Sequence, residues 1–270
     1  MDAFDRETLR RIEQNDNTVT KLTFGHAHNS IGIDHLSRLG ASIGVNMHLQ
    51  ELEFDLSRCT SITDVDFFNG LKCNSSICKL ILRCHGSRNL VDGGVGPELL
   101  RAYQENNSHL THLRLSHIGL QNGGDVAVNT TLRHCTNLRL IMITCDINDE
   151  QLLPMIEAVR GHRSLEELHL GYNRIGNTAC SSLATLLTDP NTNLLELNLY
   201  NNRIGNEGAI ILANSLANNT RLKTLDLQNN PIQGPIEIDF SKALCNSSSI
   251  DATFSSNHTL TALLYLPHQY

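Results

Sequence analysis

From Leu165 the chain reads LEELHLGYNRIG, from Leu194 LLELNLYNNRIG and from Leu222 LKTLDLQNNPIQ. Within the first of these, Leu168 and Leu170 alternate with Glu167, His169 and Gly171, the period-two pattern of a short strand with one buried face. Past Ile175-Gly176 the apolar spacing changes: Ala179, Leu183, Ala184 and Leu187 follow a helical period, and Ala209, Leu212, Ala213 and Leu216 repeat it one unit later. Each unit therefore predicts strand, turn, helix. Weaker copies start at Val19, Leu49, Ile77, Leu110 and Leu138, with a truncated one at Leu260. The starts are separated by 30, 28, 33, 28, 27, 29, 28 and 38 residues, and a period near 28 organises the whole sequence.

Parallel strands stack about 4.8 Å apart, whereas packed helices need roughly 8 to 10 Å. Stacking such units predicts a curved sheet with the strands inside and the helices outside, joined by right-handed crossovers. Residues 1–270 are expected to form a single domain, with a capping helix in 1–18, regular repeats over 19–232 and an enlarged, irregular terminal unit in 233–270. In the cap, Glu7 to Gln14 predicts a helix with Leu9 and Ile12 turned inward. Pro154 predicts that the helix over Asp149 to Arg160 is kinked or shortened. Pro231, Gly234 and Pro235 predict a remodelled turn after the last regular strand. Asn173, Asn202 and Asn230 stand where the chain turns, so their side-chain amides are expected to bond the backbone of that turn and of the next layer, forming a ladder.

The Asn-x-Ile-Gly turns and the unit length resemble the ribonuclease-inhibitor-like class of leucine-rich repeats. The resemblance covers nearly the whole chain and is closest over 138–232. Earlier, Ser57 and His85 occupy the Asn column and Ile118 marks the layer from Leu110, so the family ladder does not carry over there. The tail ALCNSSSIDATFSSNHTL is similar to the irregular terminal units of some algal proteins of this class. The resemblance implies an α/β, right-handed leucine-rich-repeat solenoid, a horseshoe with its parallel sheet on the concave face and its helices on the convex face.

Composition narrows the role. The balance of 21 Lys and Arg against 28 Asp and Glu, a net charge of −7, disfavours nucleic acid or an anionic membrane as partner. No apolar run reaches membrane-spanning length, and the opening MDAFDRETLRRIEQND has no signal-peptide core, so cytoplasmic or nuclear residence is expected. The 8 Cys are read as reduced thiols. With aromatics at 4%, the core is expected to be aliphatic. Asn-x-Ser/Thr triplets at Asn74, Asn106, Asn129, Asn218, Asn246 and Asn257 are read as chance and loop composition.

The concave face can be written down from the alternation alone. It displays Glu51, Glu53 and Asp55, then the cations Lys79, Arg83 and Arg114, then Leu140 and Met142, then Glu167, His169, Glu196, Asn198 and Tyr200. Leu140 and Met142 are expected to face water as an apolar anchor in a polar rim formed by Arg83, Arg114 and His169, with Tyr200 as a further contact. This predicts a non-catalytic scaffold that binds a protein partner, of unknown identity, on the concave face.

Signatures of chemistry are weak. Stacking brings Cys84, His117 and Cys145 towards one column, and His26 and His28 are near neighbours, but neither supplies the anchored pairs of a zinc site, so no metal and no cofactor is expected. Gly93-Gly94-x-Gly96 lacks the Lys and Ser/Thr of a phosphate loop. Glu166 with Glu167, and Glu51 with Glu53, are expected on an open, solvated strand surface where nothing separates their acidities for acid-base work. Two alternatives stay open. One branch of the class regulates small GTPases through a rim arginine, for which Arg88, Arg174 and Arg203 are the candidates. The other alternative is the sensor fragment of a larger immune-type receptor.

Overall fold

A computed structural model describes residues 6–24, 33–56, 65–84, 95–103, 109–120, 123–217, 219–233, 236–244 and 257–264. The chain falls into two compact units, Met1–Leu138 and Arg139–Tyr270. Both repeat strand and helix in strict alternation.

In the first unit, α1 (Arg6–Glu13) precedes β1 (Lys21–Phe24), α2 (Ile33–Val45), β2 (Glu51–Asp55), α3 (Val65–Cys73), β3 (Lys79–Arg83), α4 (Val95–Ala102), β4 (His112–Ser116) and α5 (Gly124–His134). Strands β1 to β4 pair in sequence order, all parallel, with Leu22, Leu52, Leu80 and Leu113 level with one another. Helix α1 buries Leu9 and Ile12. The unit's core is not wholly aliphatic. The rings of Phe24 and Phe54 stack at 4.4 Å, and Phe67 meets them edge-on at 5.9 and 6.1 Å, so three of the chain's few aromatics are gathered in one place. Outside this cluster α2 and α3 touch backbone to backbone: a Cβ on Gly70 would lie 1.8 Å from the Gly40 carbonyl oxygen, and one on Gly40 would lie 2.4 Å from Phe67 Cα.

In the second unit, β5 (Leu140–Thr144), α6 (Asp149–Val159), β6 (Glu167–His169), α7 (Asn177–Thr188), β7 (Glu196–Asn198), α8 (Asn206–Leu216), β8 (Thr224–Asp226), α9 (Glu237–Leu244) and β9 (Ala262–Leu264) follow the same plan. Strands β5 to β9 are parallel neighbours in order, and Leu168, Leu197, Leu225 and Leu263 share one register. Helix α6 is not shortened by Pro154. Asn148 caps it by accepting from the Gln151 N–H while the Gln151 side chain bonds back to Asn148, and this box offsets the single backbone donor that the proline removes in the second turn.

Among the described residues, polar side chains, most of them amides, tie neighbouring layers together at three kinds of corner. At the strand-to-helix turn, Asn202 donates to the carbonyls of Leu199 in its own layer at 3.0 Å and Leu170 in the layer before at 2.9 Å, and accepts from Ile175 N–H at 3.0 Å. Asn173 and Asn230 repeat this. The bonds run to the preceding layer rather than to the next, because a side chain rooted at the turn projects back over the strand it has just left.

A second corner lies where each helix returns to a strand. There Asn46, Asn74, Asn219 and Asn257 are buried, each accepting from the two backbone N–H groups that open the next strand and each donating to a carbonyl of the previous layer. Ser76 adds a hydroxyl bond to the Leu49 carbonyl at 2.7 Å. The triplets at Asn74 and Asn257 are therefore elements of the turn rather than chance, and neither amide is accessible.

The third corner is the helix entry. Gly176 and Gly205 stand at the N-caps of α7 and α8 and have no side chain with which to cap. The previous layer supplies the acceptor: Asp149 receives the Gly176 N–H at 2.5 Å, and Asn177 receives those of Gly205 at 2.7 Å and Gly208 at 3.2 Å.

Asn202→Ala removes a buried amide that serves two layers, and is expected to cost about 1 to 3 kcal/mol, whereas Arg203→Ala beside it, exposed, leaves stability unchanged. Urea denaturation of both variants checks this, and equal midpoints would contradict it. His162 occupies the second corner in its layer, buried, with Nδ1 lacking a partner among the described residues, and burial holds its pKa below the ordinary value. The unfolded chain then takes up the proton first, so stability is full above about pH 6.5 and is lost as pH falls through that value. His162→Asn is expected to abolish this acid loss and to add about 1 kcal/mol at neutral pH. Melting curves at pH 7.5 and 5.5 test it, with parallel losses in both proteins as the contrary result.

Candidate functional site

Within each unit, strand register lines up the residues that the alternation assigns to the face. In the first unit β3 and β4 place Lys79 level with His112, Ile81 with Arg114 and Arg83 with Ser116. Arg114 is exposed, and Arg83 and Ile81 are half-buried. The carboxylates beside them are not open to solvent as expected. Glu53 is only 8% exposed, bonded by Arg83 on one side and by Lys21 at 2.9 Å on the other, and Lys21 also reaches Glu51 at 2.6 Å. Bonds to Glu51 first and Glu53 second hold the Lys21 ammonium above its usual pKa.

In the second unit Leu140, Glu167, Glu196 and Thr224 form one row, and Met142, His169, Asn198 and Asp226 form the next. Leu140 does not face water: it is 8% exposed, and Met142 is half-buried. Register places the longer Glu167 side chain beside Leu140, and a longer neighbour in the same row covers part of a shorter apolar side chain. The expected apolar anchor is thus reduced to Met142. His169 Nε2 lies 3.3 Å from Glu167 and 3.6 Å from Glu196, bridging two strands. Glu166, on the strand edge, is gripped by Arg139 at 2.8 Å.

At the ends of these strands stands a pair of tyrosines, of which sequence reasoning named only Tyr200. Tyr172 packs against it with ring centroids 5.1 Å apart, and Asn229 donates to the Tyr200 hydroxyl at 2.7 Å. A hydrogen bond of the Tyr200 hydroxyl to Tyr172, which favours the protonated phenol, is the main cause that raises the Tyr200 pKa. Tyr172 is 59% exposed and takes a left-handed backbone, φ 59°, at a position where the next two layers have Asn201 and Asn229. Asn adopts that conformation readily, and a bulky aromatic does so at a cost. The signal was present in the sequence as the one aromatic in that column.

Of the rim arginines, Arg174 is held bidentately by Asp146, Arg203 is exposed, and Arg88 lies outside the described residues. Cys84, Cys145 and His117 do not assemble: among the described residues no group of three or more His, Cys, Asp or Glu is placed to hold a metal ion. His26, His28, Gly93 and Gly94 lie outside the described residues. Burial pushes the Cys135 and Cys180 thiols up to about 12, which leaves them unreactive at neutral pH.

Stacked strand-helix layers, parallel register and asparagine corners define an α/β leucine-rich-repeat protein. Residues 161–184 and 191–213 match one Leucine Rich repeat family, and residues 221–243 match a second. Over 159 residues the chain is 31% identical to the mouse NACHT, LRR and PYD domains-containing protein 14, covering 58% of this chain and 16% of that protein. Over 92 residues it is 32% identical to the mouse ribonuclease inhibitor, covering 34% of this chain and 20% of the inhibitor. The chain is thus similar to ribonuclease-inhibitor-like leucine-rich-repeat proteins and spans a fifth or less of the length of these relatives. Among solved structures, the leucine-rich repeat-containing protein LegL7 from Legionella pneumophila is similar over 96% of this chain and 87% of its own, with a TM-score of 0.49 and 12% identity.

Tyr172→Asn installs the residue found one layer on, and is expected to leave the melting temperature within about 2 °C of the parent or to raise it, as relieved backbone strain offsets the lost ring contact. A fall of more than about 5 °C would show that the ring is needed for folding rather than display.

Proposed function

We propose that the chain is a non-catalytic docking protein that holds a protein partner on the open face of its strands, through Arg83, Arg114, Met142, His169 and Tyr200, with Tyr172 added by the geometry. The observation that carries the reading is the division of labour along each strand. One set of side chains closes the core, whereas in the alternate set Arg114 is exposed and Ile81, Arg83, Met142, His169 and Tyr200 are half-buried, which leaves charged, polar and aromatic groups at the surface. Tyr172 supports it further, since an exposed aromatic in a strained backbone serves contact better than stability. The kinship with NACHT, LRR and PYD proteins and with ribonuclease inhibitor supports a binding role over a catalytic one. The free thiols at Cys73, Cys78, Cys84, Cys135, Cys145 and Cys180 favour a reducing compartment such as the cytoplasm, and no helix among the described residues is long and apolar enough to cross a membrane.

The experiment is photo-cross-linking and capture from the native organism with the parent chain, with His169→Ala and Tyr200→Ala on the strand face, and with Leu153→Glu on the outer surface of α6. The partner is expected to survive Leu153→Glu and to be lost, by about tenfold or more, from at least one strand-face variant. Loss confined to Leu153→Glu would overturn the reading.

A further inference from the structure

We infer that the face formed by β3 and β4 receives an acidic, extended segment of the partner protein. The inference rests on the docking reading above and names the chemistry that one part of the face selects. The argument is a charge accounting within the first unit. Its face offers three carboxylates on β2: Lys21 bonds Glu51 and Glu53, Arg83 bonds Glu53, and Asp55 stands level with Arg83. Lys79 and Arg114 have no carboxylate partner among the described residues, although Arg114 is exposed and Lys79 half-buried on the same side of the sheet. The Arg83 Nε–H, buried against this face, also lacks an acceptor among the described residues. A chain of net charge −7 thus presents an unneutralised basic patch on two adjacent strands.

The spacing selects a peptide. Lys79 and Arg114 stand one strand apart and two residues along, which places their Cα atoms roughly 8 Å from each other. Carboxylates two residues apart on an extended chain are separated by roughly 7 Å, within reach of two long cationic side chains. Ile81, level with Arg114 and half-buried, offers an apolar contact to an aliphatic side chain beside those carboxylates. A nucleic acid fits less well, because its continuous phosphate charge would face the acidic remainder of the protein.

The test uses three fluorescein-labelled probes of equal length and fluorescence anisotropy: a peptide alternating Glu and Leu, the same peptide with Lys for Glu, and oligouridine. The Glu probe is expected to bind, to weaken as salt is raised, and to weaken by about tenfold or more in Lys79→Glu/Arg114→Glu. Glu167→Gln is expected to leave it unchanged. Far-UV circular dichroism checks folding, and the milder Lys79→Gln/Arg114→Gln, expected to weaken binding in the same direction, covers the case in which charge reversal disturbs the sheet. Tighter binding of oligouridine, an unchanged affinity in both double variants, or no binding of the Glu probe would each overturn the inference. Binding of the Lys probe instead, abolished by Glu167→Gln/Glu196→Gln, would overturn the acidic partner while leaving docking on the strands intact. Failure of docking itself would show separately, in the capture experiment on the second unit's face.

Discussion

A repeat whose layers are one strand and one helix thick has a backbone that turns sharply three times per layer, and each turn strands N–H and C=O groups away from regular hydrogen bonding. Leaving even one such group buried and unpaired costs as much as several methylenes of core contribute. Short side-chain amides solve this at all three corners, because an amide both accepts and donates and can serve its own layer and a neighbour at once. Asn202 and Asn219 each do so, and Asn177 accepts from two N–H groups of the following layer. The leucines supply the favourable burial, but the amides fix how far one layer is rotated on the next, and so align the residues displayed between the leucines.

That division explains why the surface positions can vary. Some alternate strand residues still serve the fold, as Glu53 pairs with Lys21 and Arg83 and Asp226 accepts the Gln228 N–H, whereas the identity of an exposed one such as Arg114 is set by what it meets from outside. The two units use this freedom differently: cations gather on β3 and β4, whereas carboxylates bridged by His169 and a tyrosine pair occupy β6 to β8.

The strands and the first asparagine column were legible because their pattern has a short period and each residue has one structural meaning there. Asn46, Asn74, Asn219 and Asn257 were not, since an Asn before Ser or Thr between two elements reads equally well as loop. Leu140 was misjudged because alternation assigns a side without saying how much a neighbouring side chain covers it. Pro154 was judged by local propensity alone, whereas the cap at Asn148 and the buried face of α6 outweigh one missing bond. The pairing of Glu53 with both Lys21 and Arg83 depends on strand register, which periodicity fixes only to within the layer. Within the site, Tyr172 was overlooked as a misfit in an Asn column.

The glycine contact between α2 and α3 bears on the face opposite it. Curvature in a stacked repeat arises from the mismatch between wide helix spacing and narrow strand spacing, and helices meeting through Gly40 and Gly70 without intervening side chains narrow that mismatch. Strands β2 and β3 are consequently splayed less from one another than helices of ordinary girth would require. A flatter palm at this point suits a straight guest rather than a rounded one.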